Sequence, residues 1–230
     1  MTLTRSRFCR LLPCLFLLAI TTTVAVAGDK KRVLLLGDSI SIGYTPFVQS
    51  QLAEEALVLR PTNKAGKAEN CGGTTAGVQH LDRWLGIEGG KWDIIHFNWG
   101  LHDLKHVKPG QPNLASDLAT DPPQASLEVY EKQLREIVGK LKATGAKLIF
   151  ATTTYVPEGP HKIYRTDADV VLYNTAALKV MQESGITVND LYAASKANYE
   201  AWQRPVNVHF TDKGSEELAK AVVTSIKSVW

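Results

Sequence analysis

The chain has 230 residues, 44% of them hydrophobic, and 26 Lys+Arg against 23 Asp+Glu for a formal charge of +3. So small an excess excludes the basic footprint expected of a protein that binds nucleic acid or an acidic membrane surface. Three cysteines in such a length exclude a disulfide-built scaffold and leave stability to an apolar core.

Residues 1–27 read as a secretory signal peptide. Arg5, Arg7 and Arg10 form a basic start, Leu11 to Ile20 an apolar stretch, and Ala25-Val26-Ala27 a small-x-small cleavage site. The apolar stretch is too short for a membrane span, and Pro13 before Cys14 argues against lipidation there. Cleavage after Ala27 lowers Lys+Arg from 26 to 23, level with the 23 acids, and leaves Cys71 as the remaining thiol. The expectation is an exported protein, periplasmic or extracellular, with one domain over residues 28–230 and no membrane attachment after cleavage.

Val33-Leu34-Leu35-Leu36 then reads as a buried parallel strand that stops at Gly37-Asp38-Ser39, with helical spacing through Pro46–Ala53. Leu57-Val58-Leu59 is a short strand, Asn70 to Thr75 a turn, and Ala76–Leu85 a helix. Trp92 to Trp99 reads as a buried strand ended by Gly100, and a proline-containing polar loop runs from about His106 to Gln124. Ser126 caps a helix that reaches Ala143 and stops at Thr144-Gly145; Lys147–Thr152 is the next strand. A helix over Val170–Glu183, a strand over Ile186–Asp190 and a closing helix over Lys213–Ser228 complete the order. Strands separated by helices predict an α/β fold, a mostly parallel sheet with helices on both faces.

A serine at the carboxyl end of a buried strand, just before a helix, stands where open α/β sheets bind ligands. Nearby amides there can stabilise developing negative charge. Gly72-Gly73-Thr74-Thr75-Ala76-Gly77 supplies a glycine turn, Gly100-Leu101-His102-Asp103 follows a buried strand, and Val206-Asn207-Val208-His209-Phe210-Thr211-Asp212-Lys213-Gly214 precedes the last helix. In this order and spacing the chain resembles the SGNH (GDSL-type) hydrolases, esterases and lipases with four conserved blocks, over roughly residues 32 to 229. The resemblance implies a flavodoxin-like three-layer α/β/α sandwich, no cofactor and no metal. It also implies Ser39 as nucleophile and His209 as base, with the Ser39 amide, the Gly72 amide and the residue at 102 as oxyanion donors.

Two blocks depart from the pattern. Position 102 is His where the family has Asn, and an imidazole N–H can serve as the donor. Position 206 is Val where the triad's Asp belongs, so the ring needs another orienter. Asn207 through its amide oxygen, a backbone carbonyl, or an acid from elsewhere such as Asp190 could serve. Asp212 is better placed to open the closing helix. We favour a Ser–His dyad with a carbonyl-type orienter.

Each feature has a plainer reading. Ser39 could cap the following helix. Gly72 could serve only a turn with positive φ. Asp38 and Asp103 read as supports for loop amides, and Cys71 as a small buried filler beside the site. His96, His102, His106 and Asp103 raise a metal site, but no second spaced pair completes a ligand set. Trp84, Trp92 and Trp99 could line a sugar cleft, although aromatics beside a buried strand more often form core. The leading expectation is a secreted serine esterase acting on a small-molecule or polysaccharide ester, removing acetyl groups from carbohydrate. The alternatives are a non-catalytic carbohydrate-binding protein on the same fold, or a lipase or thioesterase of the same family.

Overall fold

The computed structural model describes residues 1–2 and 30–230; the leader, its cleavage site, Cys9 and Cys14 lie outside the described residues. Val33, Leu34, Leu35 and Leu36 are completely buried. They form the end of strand β1 (Lys31–Leu36), which pairs in parallel with β2 (Ala56–Leu59) on one side and β3 (Ile94–Phe97) on the other. With both edges paired and both faces covered, no position from Val33 to Leu36 reaches water, so that run is continuously apolar instead of alternating. Each of these leucines contributes about 1.5–3 kcal/mol of burial free energy. Strands β6 (Lys147–Ala151) and β7 (Thr187–Asn189) extend the sheet in the order β2-β1-β3-β6-β7, parallel throughout.

Helices α1 (Ser39–Gln51), α5 (Leu191–Trp202) and α6 (Asp212–Ser228) pack together on one face of the sheet. On the other face lie α2 (Thr74–Leu85), α3 (Leu127–Ala143) and α4 (Asp167–Ser184). In α3 the buried residues Tyr130, Leu134, Ile137, Val138 and Leu141 recur at helical spacing. Ser126 caps the helix by accepting from the Val129 amide. This is the three-layer architecture expected from the alternation of strands and helices.

Two elements differ from the sequence reading. The polar loop contains a two-stranded antiparallel hairpin, β4 (Val107–Lys108) with β5 (Gln111–Ala115). Its strands are short and mostly exposed, so they carry no alternating pattern. Helix α5 also escapes the reading. Leu191 and Ser195 are its buried residues, too few to make an apolar stripe, and its Asp190 cap reads in sequence as the end of a strand.

The strand order places a topological switch point between β1 and β3. Their connections leave to opposite faces, so a crevice opens beyond their carboxyl ends. Ser39 lies just past β1 and His102 just past β3. No helix among the described residues is long and apolar enough to cross a membrane.

Candidate active site

Ser39 is the first residue of α1. Asp38, not Ser39, is the helix cap: its Oδ1 accepts from the Ile40 amide at 2.9 Å. The Ser39 side chain is therefore free of capping duty, and its amide lies among the four helix N–H groups that have no acceptor within the helix. The Gly37 carbonyl beneath it accepts from the Cys71 amide at 3.1 Å and from Arg60 Nη2 at 3.3 Å. Buried Arg60 also donates to the Thr45 hydroxyl at 2.8 Å and the Ser41 hydroxyl at 3.2 Å. The turn that presents Ser39 is thus held from below by one guanidinium spread over four partners, counting the Glu69 carbonyl at 2.9 Å.

His209 reaches Ser39 from the segment before α6, with Oγ to Nε2 at 3.0 Å. Thr211 caps that helix by accepting from the Gly214 amide. The Thr211 amide donates to the Trp202 carbonyl at 2.8 Å. At position 214 a Cβ would strike that same carbonyl, so glycine permits the close approach that turns the chain back toward α1. The Arg204 amide holds the His209 carbonyl at 3.0 Å.

The hydrogen-bond pattern fixes the tautomer of His209. Its own amide donates to Asn207 Oδ1 at 2.9 Å, which identifies that atom as the amide oxygen. The same oxygen lies 2.9 Å from His209 Nδ1. An acceptor facing Nδ1 requires the proton there, which leaves the Nε2 lone pair toward the Ser39 hydroxyl. Burial holds the imidazole below its ordinary pKa, with Arg165 and Arg204 adding to the effect and Asp38 opposing it. The ring is neutral at pH 7 and competent to accept a proton.

Among the described residues no acid takes the place of the one missing from position 206; Asn207 Oδ1 faces His209 Nδ1 instead. Asp190 caps α5 and accepts the Thr152 hydroxyl at 3.0 Å. Asp212 sits in the first turn of α6. Val206 is exposed, at a positive φ of 48°, and leans over Gly159. Asn207 already occupies Nδ1, so a carboxylate introduced at 206 has no vacancy to fill, and the position to change is 207. Asn207→Asp keeps the same geometry and adds a charge, which raises the imidazole pKa by about one unit. Because the base must be unprotonated to act, the acidic limb of the kcat/KM profile moves to higher pH. Activity on the alkaline plateau rises about ten-fold, while activity near the acid limb falls. A pH–rate profile of the variant that superimposes on the wild type would exclude Asn207 as the orienter.

Of the three expected oxyanion donors, the Gly72 amide is engaged. Gly72 sits at φ 63°, as its turn requires, and donates to Oδ1 of the exposed Asn70 at 2.9 Å. It can serve an oxyanion once that side chain rotates away. His102 is half-buried, and burial pushes its pKa down to about 4, so it is a neutral ring. Lys105 Nζ approaches His102 Nδ1 at 3.5 Å. An ammonium can only donate, so Nδ1 is the acceptor and Nε2 carries the proton available to a substrate.

Asp103 is buried and accepts from the Thr74 amide at 2.7 Å and the Thr74 hydroxyl at 2.6 Å. It ties the start of α2, and with it the Gly72 turn, to the loop that carries His102. Burial pushes its carboxyl up to about 6 against those bonds. Cys71 is fully buried, with burial pushing its thiol up to about 11, so it fills space as an inert apolar group. Among the described residues no group of three His, Cys, Asp or Glu converges on a metal position. His96 is enclosed against Asn189, and His106 packs at a tilt against Tyr164. Trp84, Trp92 and Trp99 belong to the core.

Arg165 is the site residue that the sequence reading missed. It follows β6 on an irregular segment, lines one cavity with Asn207 and His209, and donates Nε–H to the Leu101 carbonyl at 3.1 Å. No motif or periodicity marks it.

With this geometry established, the profile of the GDSL-like Lipase/Acylhydrolase family matches residues 35–216. Among solved structures, a lipase/acylhydrolase from Enterococcus faecalis is similar at TM-score 0.65 and 21% identity, covering 86% of this chain and 96% of that one. An acetylxylan esterase from Geobacillus stearothermophilus is similar at TM-score 0.64 and 19% identity, covering 85% and 94%. A third structure, of TesA, gives TM-score 0.63 at 16% identity over 87% and 100%. At these identities the likeness is one of fold. No curated protein is similar enough to count as a match.

Proposed function

From its membership of the GDSL-like lipase/acylhydrolase family, to which the chain belongs, we propose that it is an exported serine esterase that removes short acyl groups, acetyl above all, from carbohydrate. The observation that carries the reading is the relay Ser39 Oγ–His209 Nε2 at 3.0 Å and His209 Nδ1–Asn207 Oδ1 at 2.9 Å. Ser39 attacks the ester carbonyl and its proton passes to Nε2. Asn207 holds the cation so formed through Nδ1–H, and the tetrahedral oxyanion falls to the Ser39 amide and His102 Nε2–H, with Gly72 joining when Asn70 releases it. His209 then returns the proton to the departing alcohol, and water repeats the cycle on the acyl-enzyme.

Acetyl size is supported by the cavity against Ser39. It measures about 190 Å³ and is lined by Ile40, Ile42 and Phe210 together with Arg204, Asp212 and Ser215, so it offers a long alkyl chain no continuous apolar wall. Carbohydrate is supported by the acetylxylan esterases among the structural neighbours. Purified protein should turn over p-nitrophenyl acetate, and a serine-directed fluorophosphonate should abolish that activity by labelling Ser39. Absence of turnover favours the non-catalytic alternative. For export, amino-terminal sequencing of secreted protein should begin at Gly28; any other start contradicts cleavage after Ala27.

A further inference from the structure

Arg165 takes no part in the proton transfers, yet its side chain borders the groups that perform them. It lines a cavity of about 430 Å³ together with Asn207 and His209. The bond from Nε to the Leu101 carbonyl, 3.1 Å, fixes its stem beside His102. Its two terminal amino groups form no hydrogen bond and no ion pair with the described residues. They are not enclosed by the protein, so they are open to a group entering the cavity. Lys162 adds a second cation to the same wall, and no Asp or Glu is among the residues lining it. Burial lowers the guanidinium to about 10, and the carboxylate that sustains it is Asp38, which is committed to the Ile40 amide.

Arg165 also lines a second cavity of about 480 Å³ where Asp117, Glu158 and Asp167 are found. Asp167 is engaged there by Lys196 at 2.8 Å and by the Tyr192 hydroxyl at 3.0 Å. Of the two cavities that Arg165 lines, the one shared with Asn207 and His209 has no carboxylate in its wall.

We infer that Arg165 selects esters whose alcohol part carries a carboxylate, an acidic sugar unit in preference to a neutral one, by receiving that carboxylate on its free amino groups. The inference rests on the reading of Ser39 and His209 as an ester-cleaving pair. A guanidinium pinned through Nε presents its remaining N–H groups as a fixed fork that matches a carboxylate and gives a neutral hydroxymethyl or amide no equivalent partner. Because the carboxylate is remote from the reacting carbonyl, its contact is the same in ground and transition states and appears in KM.

The test compares the methyl glycosides of monoacetylated glucuronate and of its neutral uronamide, with p-nitrophenyl acetate as a third substrate. The wild type should favour the acid by about ten-fold or more in kcat/KM, mainly through KM, and the preference should shrink as salt is raised. In Arg165→Gln the ratio should fall to within about two-fold, while Arg165→Lys should keep part of it. A wild-type ratio near one overturns the inference, and so does a ratio that survives in Arg165→Gln. The wild-type ratio decides even where the variant does not fold. If p-nitrophenyl acetate is turned over without any such preference, this inference alone fails; if it is not turned over at all, the ester-cleaving reading fails with it.

Discussion

Ser39→Ala lowers kcat toward p-nitrophenyl acetate by about 10⁴-fold or more, with Tm and circular dichroism unchanged. The size of the loss follows from the geometry. In the proposed mechanism the 3.0 Å bond between Ser39 Oγ and His209 Nε2 is what turns the hydroxyl into a nucleophile, and alanine removes the attacking atom itself. The fold should not notice, because the capping bond at the start of α1 belongs to Asp38 and the turn below is held by Arg60. Residual catalysis from the oxyanion donors is what remains in the variant. Unchanged turnover in Ser39→Ala would exclude the serine mechanism.

The second large effect belongs to His102. In the proposed mechanism the neutral ring, with its proton on Nε2, supplies a hydrogen bond that strengthens as charge develops on the carbonyl oxygen. His102→Ala should therefore lower kcat by about 10²–10³-fold with little change in KM. His102→Asn, the family's residue, should recover part of the loss, limited by a shorter reach in a pocket shaped for an imidazole. The kcat-only pattern separates this role from a substrate-binding one, which raises KM instead. Full activity in both variants would move the oxyanion contact to the amides of Ser39 and Gly72 alone.

The sheet and the place of Ser39 were legible in the sequence because β1 is buried on both faces, so its four apolar residues run unbroken into Gly37. The His209 block was legible through its resemblance to the family's last block, and the structure gives a reason for that pattern: Thr211 caps α6 and Gly214 permits a close approach, tasks that restrict residue type. Helix α5 was not legible, since most of its surface faces water and its apolar spacing is correspondingly weak. Asn207 could be raised only as one of several acceptors, because sequence does not say which atom faces Nδ1. The Asn70 bond to the Gly72 amide depends on a side-chain rotation, and Arg165 on the path of an irregular segment. Neither leaves a trace in periodicity.

The distance from Ser39 to His209 is a property of two helices rather than of the sheet. Both residues sit at or just before helix starts, those of α1 and α6, and these helices lie directly against each other. Gly43 of α1 abuts Ser215 of α6, and Glu55 beyond the end of α1 pairs with Lys227 at 2.5 Å near the other end of α6. The pair behaves as a clamp whose jaws carry the two proposed reacting atoms, 170 positions apart in the chain. In the proposed mechanism a molecule in which α6 has moved away from α1 has lost its base. Heat or denaturant should then silence the enzyme before the sheet melts, in a step governed by side chains buried between α1 and α6, none of which need touch a substrate.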